Sequence, residues 1–120
     1  MQKGARLGFN SKQALFKGYV ELMQKLLKLT KSEASVFAQL LFLNNEKKDI
    51  PETDRFNIIF STSSRKDISK ELGMSDQVLQ NCFTKLRKKK LIVNNSIPKN
   101  RQVFIENELL VVLKLELKDV

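Results

Sequence analysis

From position 64 the chain reads Ser64-Arg65-Lys66-Asp67-Ile68-Ser69-Lys70-Glu71-Leu72-Gly73-Met74-Ser75-Asp76-Gln77-Val78-Leu79-Gln80-Asn81-Cys82-Phe83-Thr84-Lys85-Leu86. This is the pattern of two short helices around one glycine. Ser64 caps the first helix, and Ile68 and Leu72 lie one turn apart on its buried face. Gly73 supplies a left-handed stop, Met74 plugs the turn and Ser75 caps the second helix. There Val78, Leu79, Cys82, Phe83 and Leu86 form the apolar face, and Asp76, Gln77, Gln80, Asn81, Thr84, Lys85 and Lys88 remain outside. Two helices joined in this way predict a helix-turn-helix.

Downstream, Leu91-Ile92-Val93 and Gln102-Val103-Phe104-Ile105 are β-favouring segments around a polar, basic loop, which predicts a hairpin with residues 94–101 as a wing. Upstream, Phe56-Asn57-Ile58-Ile59-Phe60 is short, β-branched and aromatic and reads as a strand behind the Pro51 loop. Thr30-Lys31-Ser32-Glu33 is a capping-box pattern. It opens a helix in which Ala34, Phe37, Leu40 and Leu41 keep helical spacing until the polar pair Asn44-Asn45. Leu15 to Leu29 fits a helical stripe, with a short strand at Tyr19–Leu22 as the alternative that Gly18 leaves open.

Residues 1–14 read as a flexible basic arm, and residues 15–112 as one domain. Within the latter, 108–112 is a short helix capped by Asn107. Residues 113–120 are a C-terminal extension, an added strand or helix, in which Leu113-Lys114-Leu115-Glu116-Leu117-Lys118 alternates like an amphipathic strand. The expected fold class is therefore mainly α with a small β-hairpin wing (α+β), a winged helix-turn-helix.

Three stretches carry a resemblance. Leu29-Thr30-Lys31-Ser32-Glu33, the run from Ser64 to Ser75, and Leu86-Arg87-Lys88-Lys89-Lys90-Leu91-Ile92 resemble the winged helix-turn-helix of plasmid and phage replication initiators of the RepL type. The likeness covers roughly residues 15–110. It implies a DNA-binding protein acting in replication initiation or transcription regulation of a plasmid or phage.

Charge gives an independent argument for a polyanionic partner. The 120 residues carry 22 Lys+Arg against 13 Asp+Glu and no His, a formal net charge of +9. The surplus is uneven: residues 1–28 carry +5, residues 29–76 carry −1, residues 77–105 carry +7 with no acid, and the last fifteen carry −2. A basic surplus of this size points to a polyanion, which means DNA, RNA or an acidic membrane surface, and with its acid-free block on the expected recognition helix and wing double-stranded DNA is the expected partner. On the second helix Gln77, Gln80 and Asn81 are types that bond adenine bidentately, and Thr84 suits a thymine methyl or a phosphate. Ser64, Arg65, Ser75, Lys85, Lys88, Lys99 and Arg101 complete the expected DNA-binding set, mostly as phosphate contacts that position without specifying.

The same composition excludes other chemistry. Without His, and with Cys82 as the one cysteine, zinc sites, His-based triads and intrachain disulfides are out. No Gly-rich phosphate loop, nucleophile-base pair or carboxylate cluster is present, so no enzyme, cofactor, metal or small-molecule substrate is expected. No apolar run approaches the roughly 18 residues of a membrane span, and a cytoplasmic protein with no membrane partner is expected. The competing reading is a winged-helix interaction or assembly module of a phage particle or replisome, in which the leucine-rich 15–29 or 109–117 segment forms the interface. These same flanks would allow a homodimer.

Overall fold

The computed structural model describes residues 11–104. Five α-helices follow one another: α1 (Lys12–Leu27), α2 (Lys31–Glu46), α3 (Glu52–Ile59), α4 (Thr62–Leu72) and α5 (Asp76–Lys88), and a single 3-10 turn closes the series at Lys99–Arg101. Among the described residues there is no β-strand. The α+β winged helix-turn-helix expectation is thereby corrected to an all-α fold. With it fall the likeness to winged replication initiators, the replication and transcription roles that it implied, and the winged-helix assembly alternative. The arm over residues 1–10, the helix at 108–112 and the alternating segment 113–118 lie outside the described residues.

The helices begin where short polar side chains can meet free amides. Ser11 Oγ accepts from the Ala14 amide at 3.2 Å, so α1 starts at Lys12, ahead of the expected Leu15. Thr30 Oγ1 accepts from the Glu33 amide at 3.2 Å and donates to Glu33 Oε2 at 2.7 Å. The carboxylate thus reaches back to the cap hydroxyl. Ser61, not Ser64, caps α4: its Oγ accepts from the Ser64 amide at 3.2 Å. Ser75 does the same for Val78 at 3.2 Å. Each such cap satisfies one of the orphan amides of a helix start and contributes about 1 kcal/mol.

Three helices end in the same way, with a residue in the left-handed region. Gly73 (φ 64°) closes α4, and Lys28 (φ 55°) closes α1. Lys90 (φ 59°) lies just beyond α5, where the Leu91 amide bonds the Leu86 carbonyl at 3.0 Å. The equivalent bonds run from Leu29 to Gln24 at 3.0 Å and from Met74 to Ser69 at 2.9 Å. This is the Schellman arrangement, which favours glycine; two of the three positions hold lysine.

The expected strand at 56–60 is helical. A strand would put Phe56, Ile58 and Phe60 on one face, but the chain buries Arg55, Phe56, Ile59 and Phe60 and leaves Ile58 exposed, the spacing of a helix. Pro51 has no amide to lose at a helix start, and Glu52 and Asp54 complement the helix dipole in the first turn. Arg55 adds a tertiary reason: its Nη1 donates to the carbonyls of Lys48 and Ile50 at 3.2 and 3.3 Å, tying the preceding loop to α3.

The expected wing is one tight turn. Val93 and Ser96 exchange backbone bonds at 2.9 and 3.0 Å around Asn94 (φ 50°) and Asn95 (φ 54°), a two-residue type I′ geometry. Pairing stops after that rung. Leu91 and Ile92 are both buried, so the alternation of a solvent-facing strand is absent, and Ile97 is drawn into the same core. Pro98 then opens the 3-10 turn in place of a second strand.

Burial centres on α2. Val36, Phe37, Leu40 and Leu41 are within 1% of full burial and pack with Phe16, Val20, Ile59, Ile68, Leu79, Phe83 and Leu86. The helix continues through Asn44 and Asn45, which are buried and do not form the exit that their polarity suggests. Val78 is also corrected: it is 42% exposed and lies off the buried face of α5. No helix among the described residues is long and apolar enough to cross a membrane.

Gly73 and Lys90 test the helix ends. Gly73→Ala should lower stability by about 1 kcal/mol through backbone strain alone, because the added methyl meets no atom within 4 Å. Lys90→Gly should raise it by up to about 1 kcal/mol. Thermal unfolding followed by circular dichroism measures both.

Candidate nucleic-acid interface

The exposed face of α5 is set by its buried one. With Leu79, Cys82, Phe83 and Leu86 held in the core, the helical period turns Gln77, Gln80, Asn81, Thr84, Lys85 and Lys88 to solvent. Gln77 Nε2 donates to Asn81 Oδ1 at 3.1 Å, so these two amides present a joined polar edge. The Thr84 hydroxyl donates to the Gln80 carbonyl at 3.0 Å, which commits its proton to the helix. Ser75 is exposed, and its oxygen serves the helix cap. Lys85 and Lys88 are exposed and make no ion pair among the described residues.

Other expected contacts are placed differently. Ser64 is half-buried in the first turn of α4, where its amide serves the Ser61 cap. Arg65 is half-buried, with its guanidinium carbon 5.8 Å from the centre of the Phe83 ring and its Nε buried without a partner. It is a packing residue between α4 and α5. Lys99 is exposed and Arg101 half-buried, but they lie on the 3-10 turn and not on a wing. Gln102, next in the chain, accepts from Asn44 Nδ2 at 3.4 Å near the C-terminal end of α2.

The lysine-rich end of α5 lies at the other end of α2. Lys89 Nζ bonds Glu33 Oε1 at 2.6 Å and also donates to the carbonyl of Lys28. From Glu33 to Asn44 the helix rises roughly 16 Å, so Lys99 and Arg101 are not gathered with Lys85 and Lys88.

That contact joins two regions far apart in sequence. The Lys89 side chain thus links the turn after α1, with exposed Lys28, and the start of α2, with exposed Lys31, to the end of α5, with exposed Lys88 and Lys90. Within the run Lys85 to Lys90 the roles divide. Lys89 is turned inward to Glu33, and Arg87 bonds Asn95 Oδ1 at 3.3 Å and lies 5.8 Å from the Phe83 ring centre. Lys85, Lys88 and Lys90 remain directed to solvent.

Burial pushes the Glu33 carboxyl up, but its hydrogen bonds with Lys89 and Thr30 and the Lys89 charge outweigh this and hold it below the ordinary carboxylate range. Burial, followed by the nearby Glu33 charge, pushes the Cys82 thiol up, as suits a core cysteine. No group of His, Cys, Asp and Glu able to hold a metal ion occurs among the described residues.

The Glu33 to Lys89 bond carries a pH dependence. Because the folded carboxyl titrates below the unfolded one, its contribution is complete above the carboxylate range and is lost as pH falls through the folded value. Glu33→Gln should cost about 1–3 kcal/mol at pH 7, and the difference from the parent chain should shrink on acidification, as read from urea midpoints against pH. No protein-family model, no curated protein and no solved structure matches this chain.

Proposed function

We propose that double-stranded DNA is the partner of this helical domain, held by its phosphate backbone where the end of α5 meets the turn between α1 and α2, and without any wing. The observation that carries this reading is the Lys89 contact with the Lys28 carbonyl, which links Lys28 and the start of α2, with Lys31, to the end of α5, with Lys88 and Lys90. Ammonium groups are compact donors suited to phosphate oxygens, and a row of them releases condensed counterions from a duplex. The acid at the junction's core, Glu33, is already neutralised by Lys89. It therefore does not oppose a phosphate.

The exposed edge of α5 continues from this junction. Gln77 and Asn81 would meet base edges if α5 lies along the major groove, and Thr84 offers its methyl, since its proton is held by Gln80. Backbone contacts then supply affinity, and this edge supplies any sequence preference.

Fluorescence anisotropy with a labelled duplex of about 25 base pairs, titrated over a salt series, tests the reading. Log affinity should fall linearly with log salt, and Lys25→Ala with Lys28→Ala should reduce the slope by about 0.9 for each phosphate that is no longer neutralised. Lys85→Ala with Lys88→Ala should act in the same direction, whereas Gln77→Ala with Asn81→Ala should change preference among duplexes at an unchanged slope. Binding that is absent at low salt, or that is indifferent to both lysine pairs, overturns the proposal.

A further inference from the structure

One apolar side chain of α5 is not used by the core. Leu79, Phe83 and Leu86 of that helix are within 2% of full burial, but Val78 is 42% exposed, and among the described residues it is the one large apolar side chain of α5 that is exposed. Helix propensity does not favour it either, since a β-branched residue loses side-chain freedom in a helix. Its amide serves the Ser75 cap, which any residue other than proline could do.

The neighbouring amides have their polar atoms already sorted. Gln77 Nε2 donates to Asn81 Oδ1 at 3.1 Å, so Gln77 Oε1 remains as an acceptor and Asn81 Nδ2 as a donor. Adenine offers the complement in the major groove, its N6 amino group to donate and its N7 to accept. Guanine offers two acceptors there, and one of them would meet Gln77 Oε1 with no proton between them. The joined amides thus match adenine with one atom from each side chain.

Around the helix Asn81 lies between Gln77 and Val78, roughly 40° from the first and roughly 60° from the second. Val78 therefore borders Asn81, at the i, i+3 spacing that brings side chains within reach of one another. With Asn81 donating to adenine N7, Val78 reaches the base stacked on that adenine. A thymine there presents its 5-methyl group, which an apolar side chain covers and a polar one does not. Lys85 is exposed one turn past Asn81 on the same side, where it suits a phosphate, and no acid occurs in residues 77–105 to repel one.

We propose that Val78 is a specificity residue that selects a thymine stacked beside the adenine read by Gln77 and Asn81, a proposal that rests on the duplex-binding reading above. The test takes a duplex that the full chain enriches from a random pool and remakes it with single thymines replaced by deoxyuridine, which removes only the methyl group. In fluorescence anisotropy at least one replacement, at a thymine with an adenine beside it, should weaken binding about fourfold, the worth of one buried methyl group. Val78→Ala, at an exposed site where alanine favours the helix, should bind the thymine and deoxyuridine duplexes alike. Thr84→Ser, which removes the other methyl group on this edge, should keep the difference. Salt-dependent binding that enriches no sequence, an enriched duplex in which no replacement matters, or a sensitive thymine with no adjacent adenine overturns the proposal and leaves phosphate binding standing. A difference that Val78→Ala retains, or that Thr84→Ser abolishes in its place, does the same. Failure to bind any duplex at low salt overturns the duplex-binding reading itself, and this assignment with it.

Discussion

A helix surrounded by protein must place every polar group it carries, and α2 is such a helix. α1, α3, α4 and α5 all pack against it. Its apolar residues supply the centre of the core, but Glu33, Gln39, Asn44 and Asn45 are buried with them. The long-range bonds among these side chains reach different parts of the chain. Gln39 Oε1 accepts from Gln13 of α1 at 2.9 Å, Asn44 reaches Gln102 beyond the tight turn, and Glu33 holds Lys89 past the end of α5. Burying such groups without partners is expensive, so the polar side chains fix where the neighbouring elements sit. The apolar ones supply most of the driving force.

The sequence discloses its local decisions more readily than its distant ones. Thr30, Ser75 and Gly73 act within a few residues of themselves, and the helix boundaries they set are legible from spacing alone. Phe56 to Phe60 misleads because β-branched and aromatic composition favours a strand, whereas the pull of Arg55 and Ile59 into the core favours a helix; tertiary packing prevails. Asn44-Asn45 looks like a helix end because isolated Asn avoids helix interiors, and only the burial around α2 explains its place. Residues 91–104 contain a true hairpin turn at Asn94-Asn95 but bury Leu91, Ile92 and Ile97, so no strand extends from it.

The candidate interface divides along the same line. The exposed edge of α5 follows from helical periodicity and is readable, apart from Val78. The assignment of Ser64 and Arg65 moves with the cap, which lies three residues earlier than the sequence suggests. Nothing local announces that Lys89 turns inward to Glu33 and Lys28, a contact spanning more than fifty residues. The basic surplus is thus partly structural and partly free: Lys89 holds the end of α5 to Glu33 and Lys28, Arg87 bonds Asn95 of the tight turn, and their neighbours face water.

The connections between helices are short. Residues 28–30 join α1 to α2, residues 60–61 join α3 to α4, and Gly73 to Ser75 join α4 to α5. Closing such loops costs little chain entropy, and among the described residues no distant strands must pair before a core can form. Contacts close in sequence are associated with folding in microseconds to milliseconds. Short connections of this kind let each apolar helix face meet its neighbour's at a small cost in loop entropy, so the positively charged chain needs few long loops to bring its helices together.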